Sequence, residues 1–162
     1  MSSDLKSGFR VWLDADSCPA VVRKIILKNS TNNSVPVVFV ANRNIPVDFE
    51  SELFSMVVCP KESGAADEYI VSHIDPNDVA VTRDLPLAGR LLEKGCTVMN
   101  DRGTLFDRKK IDYMLEEREL SMQMASLGIR TGGRSDGFGK DDVKKFADCF
   151  CSLIRKRVSE NS

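Results

Sequence analysis

Two aspartates with one residue between them, Asp14 and Asp16, follow directly on the apolar run Val11-Trp12-Leu13, and Ser17-Cys18-Pro19 comes next. More acids recur in comparable places. Asp84 follows the apolar stretch 79–82, Asp101 follows 96–99, and Asp67 with Glu68 opens a stretch of helical periodicity. Brought together, such carboxylates repel one another, and some are pushed to hold protons. A bound divalent cation removes that penalty. Hard oxygen donors without His or Cys suit Mg²⁺ or Mn²⁺. Such an ion, alone or paired, activates water and stabilises both oxygens of an in-line phosphoryl displacement. The chemistry this pattern points to is phosphodiester hydrolysis. Each acid also has a plainer use, since Asp16 and Asp84 stand where helix-capping residues stand.

The acids can meet only if the chain folds so that several strand ends share one edge. Residues 9–13 read as a short buried strand, and Ser17 or Cys18 as a cap for a helix over 19–29 with Pro19 in its first turn. A polar loop at 30–34 precedes a β-branched strand at 35–41. A third strand is predicted at 54–58, a helix at 64–74 and a turn at 75–78. A fourth strand at 79–82, a helix from 85 to 92 ended by Gly95, and a fifth strand at 96–99 follow. Strand and helix in alternation predict a three-layer α/β/α fold around a mostly parallel sheet of about five strands. In such sheets, ligands bind beyond the carboxyl ends of the strands.

The last third, about 107–158, reads as helical. Ile111, Met114, Leu115 and Met122 form one stripe; Val143, Phe146, Ala147, Phe150, Ile154 and Val158 form another. Both are expected to pack into the core. Residues 128–139 hold five of the ten glycines. They read either as a connector or as a flap carrying Arg130 and Arg134 to a substrate phosphate.

The whole-chain totals narrow the class. With 162 residues, 42% apolar and 29% charged, the chain is expected to form one domain, residues 1–162. No apolar run is long enough for a membrane helix, and the first residues lack a signal-peptide core, so a cytoplasmic location is expected. Five cysteines without a C-x-x-C pair are expected to be reduced and mostly buried rather than zinc ligands. The single His73 falls within a predicted helix and reads as a structural residue. Net charge is −1 and the isoelectric point about 5.9, so any contact with a polyanion must be local or bridged by a metal. Arg102, Arg108, Lys109 and Lys110 form a local basic cluster that reads as a solvated face.

Several segments together resemble one family. Leu13-Asp14-Ala15-Asp16-Ser17-Cys18-Pro19, Val40-Ala41-Asn42, Ala66-Asp67-Glu68-Tyr69-Ile70 and Val81-Thr82-Arg83-Asp84-Leu85-Pro86-Leu87-Ala88 are similar, in this order, to the YaiI/YqxD family (DUF188, UPF0178). Gly95, Asn100-Asp101-Arg102-Gly103 and Thr131-Gly132-Gly133 extend the likeness over roughly 9–155. The resemblance implies a single PIN-like domain with acids that bind Mg²⁺ or Mn²⁺. Carried over, it implies Asp14, Asp67 and Asp84 as metal ligands. Asp16, from the family's own opening motif, joins them as a further catalytic acid. Asp101 departs from the N-P-R-G form of the family, which leaves Asn100 as the matching position. Thr131-Gly132-Gly133-Arg134 departs from the T-G-G-P continuation.

Three functions compete. The first is a metal-dependent nuclease acting on RNA or single-stranded nucleic acid, with Asn42, Arg83, Asn100 and Arg130 as substrate contacts. The second is a HAD-like phosphatase with Asp14 as nucleophile and Asp16 as acid/base, though the usual downstream lysine and acidic pair are not evident. The third is a non-catalytic RNA-binding or regulatory module.

Overall fold

A computed structural model describes residues 8–129 and 138–161. The chain runs through β1 (Val11–Asp14), a 3-10 turn (Ala15–Ser17), α1 (Ala20–Asn32), β2 (Val37–Ala41), β3 (Phe54–Val58), α2 (Ala65–His73) and β4 (Val79–Val81). It continues through α3 (Leu85–Glu93), β5 (Thr97–Met99), α4 (Arg108–Ser126) and α5 (Lys140–Glu160). The five strands form one sheet in the order β3-β2-β1-β4-β5, and every pairing is parallel. The predicted α/β/α architecture is therefore present.

Strand alternation sorts the core into two layers. Val11 and Leu13 of β1, Val37 and Phe39 of β2, and Val79 and Val81 of β4 pack with Val22 and Ile26 of α1 and Phe146, Phe150 and Ile154 of α5. Trp12, Val38, Val40, Ala80 and Val98 point the other way, onto Ile70 of α2, Leu87, Ala88 and Leu91 of α3, and Ile111 of α4. Strands apolar on both faces are what a parallel sheet covered on both sides requires. The stripe predicted for the last helix is real: Phe146, Phe150 and Ile154 have no exposure. Their burial stabilises the fold by roughly 5–8 kcal/mol against an extended chain, an upper figure.

The stripe predicted for α4 is not. Ile111 is buried and Met114 packs on the second layer, but Leu115 and Met122 are exposed, with Tyr113 and Leu120 beside them. Among the described residues, α4 packs on the core through Ile111 and Met114, near its start. Periodicity reveals an apolar stripe, not what lies across from it. Two smaller expectations also shift. Ser17 and Cys18 do not cap α1; Pro19 is its N-cap, and the Pro19 carbonyl accepts from the Val22 and Arg23 N–H groups. The helix also runs on into the segment read as a loop, where the Thr31 hydroxyl donates to the Leu27 carbonyl at 2.7 Å.

At the amino edge of the sheet, Asp78 ties distant chain together. Its carboxylate accepts from Trp12 Nε1 at 2.9 Å, from the Arg10 N–H at 2.8 Å and from the Asp75 N–H at 3.0 Å. These bonds fix the start of β1 beside that of β4. At the opposite edge, the loop after β5 presses on α5. Gly103 has φ +83°, and a Cβ there would lie 2.6 Å from the Lys145 carbonyl oxygen.

Candidate active site

All five carboxyl ends emerge on one edge because all five strands are parallel. β1 takes β2 on one side and β4 on the other, so the chain's connections diverge at β1. Such a divergence opens a crevice at the strand ends. Asp14, the last residue of β1, lies two residues beyond Trp12 and so points to the α2–α3 side. Asp67 lies in the first turn of α2, and Asp84 caps α3, on that same side of the sheet. The order of the sheet thus gathers the three acids that the motifs singled out.

Asp14 is 7% exposed. Its Oδ2 accepts a hydrogen bond from the Thr82 hydroxyl at 2.9 Å, and the same hydroxyl oxygen accepts from the Asp84 N–H at 3.0 Å. Burial raises the Asp14 pKa; the Thr82 and Ser17 hydroxyls pull it down, and the charges of Asp84 and Asp16 raise it again. Asp67, half-buried, is pushed up to about 6 by burial first and then by Asp84 and Asp14, with Arg90 opposing. Asp67 therefore senses both Asp14 and Asp84, and Asp14 senses Asp84. Among the described residues none of the three forms an ion pair; Arg90 is held instead by Glu68.

Asp84 uses Oδ1 to accept from the Leu87 N–H at 2.9 Å, so it is a helix cap as well as a member of this group. Asp16 is exposed and bound outward: Oδ2 accepts from the Asn42 N–H at 2.7 Å, and Oδ1 pairs with Arg43 at 3.3 Å. It fastens the exit of β2 to the turn after β1. Asn42 stands beside it, half-buried, with its amide oxygen buried and without a partner among the described residues. Arg83 is exposed at the rim. Its Nε and Nη2 hold one oxygen of Asp101 at 2.8 and 2.7 Å, which fixes the guanidinium there. Asp101 is 1% exposed, and its other oxygen has no partner among the described residues. Asn100 spends its side-chain oxygen on the loop, accepting from the Arg102 and Thr104 N–H groups at 2.9 and 3.0 Å. Arg130, Arg134 and Thr131-Gly132-Gly133 lie outside the described residues.

One participant escaped the reading of residue types, and another was named by it without its role. Thr82 sits inside the Val81-Thr82-Arg83-Asp84 segment as a single hydroxyl after a β-branched run, and it links Asp14 to Asp84. Asp101 positions Arg83, a pairing across 18 residues that no spacing rule displays. The Cys18 thiol, beside the rim, is no nucleophile: burial pushes its pKa up to about 12, so it stays protonated at neutral pH.

The Thr82 link has a measurable consequence. Thr82→Val keeps the side-chain shape and deletes the hydroxyl, leaving Asp14 without its donor and the Asp84 N–H without its acceptor. The loss is about 1–3 kcal/mol in denaturant unfolding, recovered by Thr82→Ser. An equal loss in the serine variant would assign the effect to packing instead. A second expected result concerns pH. A carboxyl whose folded pKa lies above its unfolded value stabilises the fold at low pH and loses that contribution as pH rises. For Asp67 the window runs from 3.8 to about 6. The full linkage is about 3 kcal/mol, reduced to about 1 kcal/mol by solvent screening at a half-exposed site. In chelator, Asp67→Asn should gain on the native chain by that amount between pH 4 and pH 7, read from melting curves. A constant offset across that range would show that Asp67 carries no such shift.

Whether a metal suits this group rests on its donors. Among the described residues, no group of three or more His, Cys, Asp or Glu side chains stands ready to hold a metal ion. Mg²⁺, however, keeps several waters and needs only one or two carboxylates plus substrate oxygens. A desolvated Asp14 beside two further carboxylates, without a neutralising ion pair, fits that requirement.

The likeness to known proteins runs nearly end to end. The chain is 39% identical to a UPF0178 protein of Treponema denticola over 151 residues, covering 93% of this chain and 95% of the relative. It is 35% identical to a UPF0178 protein of Geobacter sulfurreducens over 149 residues, covering 92% and 98%, and 35% identical to one of Pseudoalteromonas atlantica over 150 residues, covering 91% and 99%. No solved structure matches it. The uncharacterised YaiI/YqxD family, DUF188, matches residues 12–156, which takes in all of the sheet but Val11 and all the acids described above; the chain belongs to that family.

Proposed function

We propose that this protein is a divalent-metal-dependent nuclease that hydrolyses phosphodiesters of single-stranded RNA. The observation that carries the reading is the gathering of Asp14, Asp67 and Asp84 at the carboxyl edge of a parallel sheet, with Thr82 bridging Asp14 and Asp84 and no ion pair on any of the three among the described residues. An uncompensated set of acids beside a crevice is costly to keep, and a hard cation offsets the cost. The parallel α/β/α architecture and strand-end acids are also those of PIN-like nucleases, which the sequence resembles.

In this reading Asp14, with Asp67 or Asp84 beside it, would hold Mg²⁺ or Mn²⁺ together with waters and substrate oxygens, and the ion would supply an activated water and charge stabilisation for the displacement. Thr82 keeps Asp14 aimed and its charge hydrogen-bonded. Arg83, fixed through Nε and Nη2 by Asp101, keeps Nη1 for a substrate phosphate. Asp16 holds the Asn42 turn at the mouth of the crevice. The test is cleavage of a single-stranded RNA pool by the purified protein with Mn²⁺ against chelator. Strand scission that needs the ion is the expected result; RNA left intact at every concentration of Mn²⁺ and Mg²⁺ would overturn the reading.

A further inference from the structure

A second concavity lies on the α1 side of the sheet, across from the side on which Asp14, Asp67 and Asp84 gather. It is a cavity of about 580 Å³ between α1 and the segment that leads from β2 to β3. One wall carries Arg23, Lys24 and Lys28; the other carries Pro46, Asp48 and Phe49. Three cations face one acid. Neither lysine forms an ion pair among the described residues, and Arg23 makes one bond, donating to the Cys18 carbonyl at 2.7 Å. Lys24 and Lys28 are one turn apart on α1, a rise of about 6 Å, a step that an extended nucleotide can match. Phe49 is half-buried and held edge-on by Phe54, with ring centroids 6.5 Å apart, so its ring is a braced, partly open apolar surface.

The groove is tied to the rim at both walls. On one side Arg23 bonds to Cys18, two residues beyond Asp16. On the other, Asn42 and Arg43, both bound to Asp16, lead into residues 46–49. A chain that carries −1 overall has no general attraction for polyanions, so this local excess of cations matters. Cations along a groove with an aromatic ring form the combination that binds single strands irrespective of sequence.

We infer that this groove is the path along which single-stranded RNA lies as it approaches the acidic rim, its phosphates on Lys24 and Lys28 and a base on Phe49. The choice of ligand rests on the nuclease reading; the site itself does not use the rim's chemistry. Binding is therefore measured without cleavage, by fluorescence anisotropy of a labelled single-stranded RNA on the Asp14→Asn protein in chelator. Adding Lys24→Ala and Lys28→Ala should weaken binding roughly tenfold and lower the steepness of log K against log salt by about 1.4, the value for two phosphate contacts on a single strand. The pair Lys109→Ala and Lys156→Ala, on α4 and α5, should change neither. Phe49→Leu, which keeps an apolar contact with Phe54, should weaken RNA several-fold and leave competition by polyphosphate unchanged. Equal affinity in the Lys24/Lys28 variant, the same loss in the Lys109/Lys156 pair, or no RNA binding at all overturns the groove. Apart from Asp14→Asn, which is common to every arm, none of these substitutions touches the acidic rim, whose chemistry is tested separately by ion-dependent scission with the native protein.

Discussion

Asp14→Asn should lose Mn²⁺-dependent RNA scission by more than about 100-fold, the upper loss for groups that merely support a metal ligand, and should melt at a higher temperature than the native chain. The two effects have one cause. Asp14 is buried at the centre of the crevice, and desolvation, with the charges of Asp84 and Asp16, works against its ionised form. At neutral pH the folded protein carries this carboxylate at a cost that a neutral amide avoids. The amide oxygen still accepts from Thr82, so the local hydrogen bond survives. What disappears is the charge that would hold the cation. Mn²⁺ should raise the melting temperature of the native chain and leave that of the variant in place. A variant that cleaves at the native rate would remove Asp14 from the chemistry. A variant that melts lower would show that its carboxylate serves the fold.

Gly103→Ala should be the most disruptive single methyl in the loop above β5. The residue has φ +83°, where an L side chain costs about 1 kcal/mol. The added Cβ would also stand 2.6 Å from the Lys145 carbonyl oxygen and 2.7 Å from its carbon, both backbone atoms of α5 that cannot rotate away. Together these cost about 3 kcal/mol, which for a domain of this size lowers the melting temperature by roughly 10 °C. Gly64→Ala is the matched control: φ is +81° and nothing stands within 4 Å of its added Cβ. It should lose only the backbone part, about 1 kcal/mol. Equal losses at both positions would mean that the approach of the loop to α5 contributes nothing.

Much of this fold can be read from residue order, and the reasons are local. The five strands are short apolar runs bounded by Pro, Gly, Asn or Asp, and each lies within two residues of its predicted bounds. Strand adjacency is a different matter. Nothing near Leu13 says that Phe39 and Val81 will flank it, 26 and 68 residues away. Asp14 and Asp84 can be nominated from their positions after apolar runs, but only adjacency of β1 and β4 makes them neighbours. Asp16 looks equivalent to Asp14 in sequence and is not: an offset of two in a strand would share a face, but the chain turns at Ala15 and delivers Asp16 to Asn42 and Arg43. Met122 and Phe150 illustrate the same limit for helices. Both belong to apolar stripes, yet one is 59% exposed and the other fully buried, because α5 at Phe150 lies against a helix and a sheet face, whereas the core contacts of α4 among the described residues are at Ile111 and Met114.

The central position of β1 has a consequence for how the chain reaches this shape. β1 precedes both of the strands that flank it, and β4 supplies its second edge only after residue 79 has been made. Pairings of such sequence separation require long closures before they are rewarded, which makes assembly slow. α5, residues 140–160, follows all five strands and covers the face of the sheet that α1 leaves open. A nascent chain therefore carries an unpaired strand edge until residues 79–81 have been made, and uncovered apolar surface until α5 has been made. Interrupted products ending before residue 79 should self-associate through that edge.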